Sequence, residues 1–259
     1  MANAVEIQKL RKEYGKKAVV KDISLEVEED TLFALLGVNG AGKTTTIKML
    51  TGLANPTSGD ALVLGHSILK EREQIKALVN LSPQETSIAP NLTVRENLEF
   101  MAGIYGMDQA KARKRTQEMI EMFALDEVEN SRAKTLSGGW QRKVSIAMAL
   151  ITEPKLLFLD EPTLGLDVLA RRELWDVIRK LKKNMTIILT SHYMEEVEAL
   201  ADCVAVMVKG DIKAVGTVAE LTSRTGTDNL EEAFVAIASG SGASGIQTPE
   251  TAGTEETDV

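Results

Sequence analysis

Leu32-Phe33-Ala34-Leu35-Leu36-Gly37-Val38-Asn39-Gly40-Ala41-Gly42-Lys43-Thr44-Thr45 joins five consecutive apolar residues to a glycine-rich turn and then to a helical pattern. A strand covered on both faces reads as such an unbroken apolar run, and strands of that kind belong to mostly parallel sheets. The turn from Gly37 to Thr44 fits G-x-x-x-x-G-K-[ST]. Its glycines let backbone N–H groups converge on phosphate oxygens that a Cβ would obstruct, and the following helix adds the positive end of its dipole. Lys43 is then expected to neutralise terminal phosphates of a triphosphate, and the Thr44 hydroxyl to ligate Mg²⁺. The expected cradle comprises Gly37, Val38, Asn39, Gly40, Ala41, Gly42, Lys43, Thr44 and Thr45. Average residue frequencies yield this pattern by chance about once in a hundred chains of this length. Here it also lies between a buried strand and a helix, the context its chemistry needs.

Working outward, Ile23, Leu25 and Val27 alternate with polar residues as in a half-buried strand. Thr44 to Leu53 reads as a helix ended by Gly52 and Pro56, and Ala61 to Leu64 and Ala77 to Val79 as short strands. Helical spacing then fills Thr93 to Tyr105, Gln109 to Phe123 and Trp140 to Ile151. Alternation resumes with strand Leu156 to Leu159, helix Leu169 to Leu181, strand Thr186 to Leu189, helix Met194 to Leu200 and strands Val204 to Val208 and Ile212 to Val215. Thr217-Val218-Ala219-Glu220 matches a capping box. Strand–helix alternation interrupted by a helical block implies an α/β fold with an inserted helical subdomain. We expect one domain over residues 1–238, its helical insertion at about 85–154, and a disordered tail at 239–259, where Ser, Gly and Thr leave little to bury.

Leu156-Leu157-Phe158-Leu159-Asp160-Glu161 ends an apolar strand in two acids. A carboxylate there is costly unless a cation or hydrogen bonds receive it. Asp160 is therefore a candidate Mg²⁺ ligand, and Glu161, pointing differently, a candidate general base for the attacking water. Leu136-Ser137-Gly138-Gly139-Trp140-Gln141 places a Ser-Gly-Gly turn at a helix start, a second anion site. Two such sites but one lysine loop suggest that Ser137, Gly138 and Gly139 complete the site of another copy of the chain.

Taken in order, these segments resemble the ATP-binding-cassette (ABC) ATPases over about Val5 to Ser239, including a subgroup typified by daunorubicin-resistance proteins. The motifs are an aromatic Tyr14 before the first strands, the phosphate loop, Ser82-Pro83-Gln84, Leu136 to Gln141, Asp160-Glu161, Gly165-Leu166-Asp167 and Ser191-His192. The resemblance implies a P-loop NTPase with an ABC-type RecA-like core sheet, an N-terminal antiparallel β-subdomain and the helical insertion. It also implies that Tyr14 stacks on the adenine of ATP, Gln84 contacts Mg²⁺ and senses a membrane partner, His192 contacts the γ-phosphate, and Asp167 lies at a dimer seam. Lys43, Glu161 and His192 would be catalytic, and Thr44, Gln84 and Asp160 would hold the metal. Trp140 and Val168 depart from the family's usual residues, which bears on subfamily rather than chemistry.

Leu92 to Leu98 with Tyr105-Gly106, and Asn229 to Phe234, resemble ATPases paired with separate ABC-2-type permeases. That implies a homodimer in the ATP-bound state, seated on an integral membrane permease at the cytoplasmic side of an exporter. The chain has no apolar run near the roughly 20 residues that span a bilayer and no visible secretory signal, so a cytoplasmic, peripheral location is expected. Net charge is −8, but seven acids lie after the last base, Arg224; the other 31 acids nearly balance 30 Lys and Arg. Such a body offers no footprint for nucleic acid. Cys203, the one cysteine, excludes an internal disulfide and a cysteine-based metal cluster, and is read as a buried inert thiol. His66 is read as a surface loop residue, and Lys111, Arg113, Lys114 and Arg115 as a solvated helix face. An importer ATPase, a soluble ABC protein acting on nucleic acid or ribosomes, and a phosphate-loop kinase stay open as other readings.

Overall fold

The computed structural model describes residues 2–240. The chain runs β1 (Asn3–Tyr14), β2 (Lys17–Glu28), β3 (Leu32–Leu36), α1 (Lys43–Leu50), β4 (Ser58–Val63), β5 (His66–Ser67), α2 (Arg72–Leu78) and β6 (Val79–Ser82). Three helices follow, α3 (Val94–Ile104), α4 (Gln109–Met122) and α5 (Gly138–Leu150). The remainder is β7 (Leu156–Asp160), α6 (Val168–Leu181), β8 (Thr186–Ser191), α7 (Met194–Leu200), β9 (Cys203–Val208), β10 (Asp211–Gly216), α8 (Val218–Thr225) and α9 (Leu230–Ser239).

Two sheets result. One is antiparallel, in the order β2-β1-β4-β5; the other has the order β10-β9-β3-β8-β7-β6 and is parallel apart from β10. Fully buried strands form the centre of the second sheet: every residue of β3, β7 and β8 is buried. This is the expected α/β fold with an N-terminal antiparallel sheet. Register then sets the site. Leu36 pairs with Ser191 and Asp160 with Thr190, so β3, β7 and β8 end level with one another. The residues that follow, Gly37, Glu161 and His192, therefore leave the sheet at a common edge, where ligands of parallel α/β folds bind.

The helical block is no separate core. Leu98, Met119, Ile120 and Phe123 share one buried cluster with Leu157, Leu159 and Leu189 of the sheet. The join is α5, buried without a break from Arg142 to Leu150. Asn97 of α3, fully buried, fixes the approach to this block. Its side chain accepts from Ala89 N at 2.7 Å and donates to the carbonyls of Ala89 at 3.1 Å and Thr93 at 2.8 Å.

Several local expectations shift. The first strand ends on Tyr14 rather than following it, and a bulge in β1 hides it. Lys9 has φ 48°, which breaks the alternation of Val5, Ile7 and Leu10 and hides the strand. Gly59 answers that bulge, since a Cβ there would lie 2.1 Å from the Lys9 carbonyl oxygen. Ala77 and Leu78 end α2, and the strand begins at Val79; a three-residue apolar run carries no period to separate the two. The first helix stops at Leu50, and Gly52 (φ 73°) turns the chain after it. His66 sits on β5 rather than in a loop and meets Glu71 at 3.0 Å. That contact, with the Ser67 N–H, lowers the Glu71 carboxyl pKa. Arg115 leaves the solvated face: it donates to the carbonyls of Leu150 at 3.1 Å and Ile151 at 3.4 Å, satisfying the end of α5. Cys203 is half-buried, and burial raises its pKa, which keeps the thiol protonated. The capping box at Thr217 and Glu220 forms as read. The expected tail falls outside the described residues from position 241 onward, while Ser239 itself still belongs to α9.

Replacing Asn97 with Ala strands buried backbone groups, so we expect a loss of about 2–3 kcal/mol in unfolding free energy by urea denaturation. A loss under about 0.5 kcal/mol would mean that water satisfies those groups instead.

Candidate functional site

The Gly37–Thr44 loop spans from the end of β3 to the start of α1. Glycine is required at two of its positions for contact reasons. A Cβ on Gly37 would fall 2.4 Å from the Met207 carbonyl oxygen, and one on Gly42, at φ 114°, 2.8 Å from the Val19 carbonyl oxygen. Both strand ends thus press the loop into shape. Gly37 N–H donates to Ser191 O at 3.1 Å, tying the loop to the tip of β8. Val38, Asn39 and Gly40 form its exposed crest, and α1 opens beneath it with no acidic residue in its first turn.

Lys43 turns back into this loop. Its Nζ donates to Gly37 O at 2.6 Å and lies 2.9 Å from Glu161 Oε1, with both side chains about 5% exposed. The other carboxylate oxygen of Glu161, Oε2, meets His192 Nδ1 at 2.7 Å. Glu161 has φ 49°, a left-handed backbone that turns its carboxylate away from that of Asp160. Asp160 Oδ1 in turn accepts from Thr44 Oγ1 at 3.0 Å and from Thr190 Oγ1 at 2.6 Å. Lys43, Thr44, Asp160, Glu161 and His192 are therefore one contiguous network at the strand tips.

The two carboxylates face different chemistry. Asp160 shares its oxygen with a threonine hydroxyl at the phosphate loop, an all-oxygen donor set that suits a hard divalent cation completed by phosphate oxygens and water. No group of three or more His, Cys, Asp and Glu side chains fit to hold a metal occurs among the described residues. Glu161 has a cation on one oxygen and an imidazole on the other. A base role requires Oε1 to leave Lys43, and anionic phosphate in the loop competes for that ammonium.

Two contributors escape the sequence reading. Thr190 bonds Asp160 and also receives Glu161 N–H at 3.0 Å, so one hydroxyl sets both acids. Arg142 of α5, 3% exposed, donates to Pro83 O and Gln84 O, each at 2.6 Å, and to Glu161 O at 3.3 Å. Burial pushes its pKa down, while the charges of Asp160 and Glu196 act the other way. It fastens the Gln84 loop, the helix after Ser137 and the backbone of Glu161 together. Neither is marked in the sequence: Arg142 stands between Gln141 and Lys143 at the polar start of α5, and threonine is ordinary in a strand.

Other expected site residues stand outside this network: none of Tyr14, the Gln84 side chain, Ser137, Gly138 or Gly139 shares a hydrogen bond or ion pair with it among the described residues. Tyr14 closes β1, the residue 53% exposed, with Lys12 Nζ 4.9 Å from the ring centre. Gln84 is exposed and held by its carbonyl. Ser137 is the N-cap of α5, yet its hydroxyl caps nothing, and Ser137 and Gly138 are exposed. This leaves an outward-facing helix start with free N–H groups. Asp167 caps α6 by accepting from Leu169 N at 2.9 Å and Ala170 N at 3.0 Å; Val168 and Leu169 beside it are 62% and 73% exposed.

Residues 20–164 match the ABC transporter family. The chain is 41% identical over 227 residues to the linearmycin resistance ATP-binding protein LnrL of Bacillus subtilis (strain 168), covering 87% of this chain and 73% of that one. It is 39% identical over 228 residues to the daunorubicin/doxorubicin resistance ATP-binding protein DrrA of Streptomyces peucetius, covering 88% of this chain and 69% of that one. Human phospholipid-transporting ATPase ABCA3 is 43% identical over 201 residues, covering 78% of this chain but only 12% of the far longer relative. Among solved structures, an ATP binding subunit of an ABC transporter superimposes with a TM-score of 0.80 at 30% identity, covering 90% of this chain and 99% of that one.

Replacing Thr190 with Val removes the hydroxyl shared by both acids and little volume. We expect ATP turnover to fall about tenfold, the equivalent of one 1.4 kcal/mol interaction, with an unchanged circular dichroism spectrum. Wild-type turnover would show that Thr190 does not position the acids.

Proposed function

The chain belongs to the ABC transporter family as an ATP-binding and ATP-hydrolysing subunit, and on that premise we propose that it powers a drug- or lipid-type exporter through ATP-driven pairing of two copies. The observation that carries the reading is the convergence of Lys43, Thr44, Asp160, Glu161 and His192 on one strand edge, while the Ser137 helix start faces outward and unused. A second copy, head to tail, supplies Ser137, Gly138 and Gly139 to the triphosphate that Lys43 holds.

In this scheme Thr44 and Asp160 would hold Mg²⁺, with Gln84 contributing from its loop, and the ion would supply positive charge to offset that of the phosphates. Tyr14, about half exposed, offers its ring to adenine. The phosphates draw Lys43 from Glu161, whose Oε1 then accepts the proton of the attacking water, while His192 holds Oε2 and stands near the γ-phosphate. The reading of residues 1–238 as one ATPase domain with a helical lever at about 85–154 is part of the proposal. Support for the lever comes from Arg142, which links the Gln84 loop to both Glu161 and α5.

The likeness to two resistance proteins supports an exporter with a separate, ABC-2-type membrane permease, docked at the cytoplasmic face. No helix among the described residues is long and apolar enough to cross a membrane, so the translocation path falls to that partner. Phe100, Ile104 and Tyr105, about half or more exposed on and just after α3, give the helical block an apolar surface for it. An importer ATPase shares every feature of the cassette, but the relatives named above favour export.

Glu161→Gln should bind ATP and lose at least about a hundredfold in turnover, the scale of a general base. It should also elute as an ATP-dependent dimer in size-exclusion chromatography. Robust turnover, or a monomer at saturating ATP, would contradict the scheme.

A further inference from the structure

His192 is held to Glu161 through Nδ1, and the other constraint on its ring comes from the next residue. The Tyr193 ring centre lies 4.1 Å from that of His192, tilted by 38°. On the Tyr193 ring sits the guanidinium of Arg171, its Cζ 4.7 Å from the ring centre. Arg171 belongs to the first turn of α6: its N–H donates to Asp167 O at 3.0 Å. It thus moves with the exposed corner of Asp167, Val168 and Leu169. Among the described residues its Nε is buried without a hydrogen-bond partner, and the acid it pairs with, Glu195, is 3.7 Å away and 80% exposed, a weak and screened tie. The aromatic face is what seats this guanidinium. One turn further along α6, Trp175 Nε1 donates to the buried Glu196 at 3.3 Å, so α6 grips the segment after His192 at two points. The start of α5 leans on the same corner, since a Cβ on Gly139 would come 3.1 Å from Ala170 Cβ.

We propose that Arg171 is a positioning residue: stacked on Tyr193, it sets the angle at which His192 meets Glu161 and so relays the position of the Asp167 corner to the catalytic pair. This rests on the reading of Glu161 and His192 as that pair. A partner pressing on Val168 and Leu169 displaces α6 as a rigid turn, carries Arg171 with it, and rotates the imidazole through the Tyr193 ring. Closure of the seam and readiness of the base then become one event.

The chain has only two histidines, His66 and His192, which makes the imidazole directly observable. Full-length protein labelled with ¹⁵N-histidine gives two ring patterns, and His66→Gln identifies the one from His192. Arg171→Met and Tyr193→Leu should each shift the His192 nitrogens and lower ATP turnover about tenfold, while KM for ATP stays within about twofold; misorientation of this kind acts on the chemical step. Tyr193→Phe, which keeps the ring, should restore both signals. An unchanged His192 spectrum in Arg171→Met, or a loss confined to KM, overturns the inference alone. Wild-type turnover in His192→Ala would instead overturn the catalytic pair on which it rests.

Discussion

The ion pair between Lys43 and Glu161 joins two charges that are each about 95% removed from solvent. Desolvating an ammonium and a carboxylate costs several kcal/mol apiece, and only good geometry with further hydrogen bonds offsets it. Gly37 O supplies that bond for Lys43, and His192 Nδ1 supplies it for Glu161. Remove either charge and the other is buried without compensation, a penalty of about 3–5 kcal/mol. The site is therefore poised for exchange of partners. A phosphate group offers Lys43 stronger, multidentate acceptors than one carboxylate oxygen, and each gain at Lys43 releases an oxygen at Glu161. In the proposed mechanism, binding of substrate and arming of Glu161 as the base are two sides of one competition.

The fold makes that competition possible through register. β3, β8 and β7 are neighbours that end level, so the loop after the first, the histidine after the second and the acids at the end of the third converge. Apart from α1, whose first residues are Lys43 and Thr44, little of this depends on the helices. Two other helices connect the strand edge with distant surfaces: α5 through Arg142 to the Gln84 loop, and α6 through Arg171 to the corner at Asp167. Trp140 and Val168, the residues that depart from the family's habit, sit at the starts of these two helices. Lys143 Nζ lies 4.6 Å from the Trp140 ring centre, which gives the indole a local role in packing the start of α5.

Where the sequence carries a repeating signal, it can be read. The unbroken apolar runs of β3 and β7 and the glycine pattern between Gly37 and Gly42 each follow from a single steric demand. β1 is invisible as a strand because its bulge at Lys9 shifts Leu10 out of phase with Val5 and Ile7. Arg115 looks like one more exposed base, since nothing in a run of four basic residues says which one lies over the end of a neighbouring helix. The same limit applies at the site. Asp160 and Glu161 announce themselves by ending an apolar strand, but Thr190 and Arg142 gain their roles only from what register and helix packing bring beside them.

The exchange at Lys43 can be measured without turnover or dimer formation by calorimetric titration of ADP into the wild-type chain and Glu161→Gln. Neutralising Glu161 leaves Lys43 buried without its counter-charge, so the account predicts that ADP binds the variant more tightly, by about tenfold or 1.4 kcal/mol. Equal or weaker ADP binding by Glu161→Gln would contradict it.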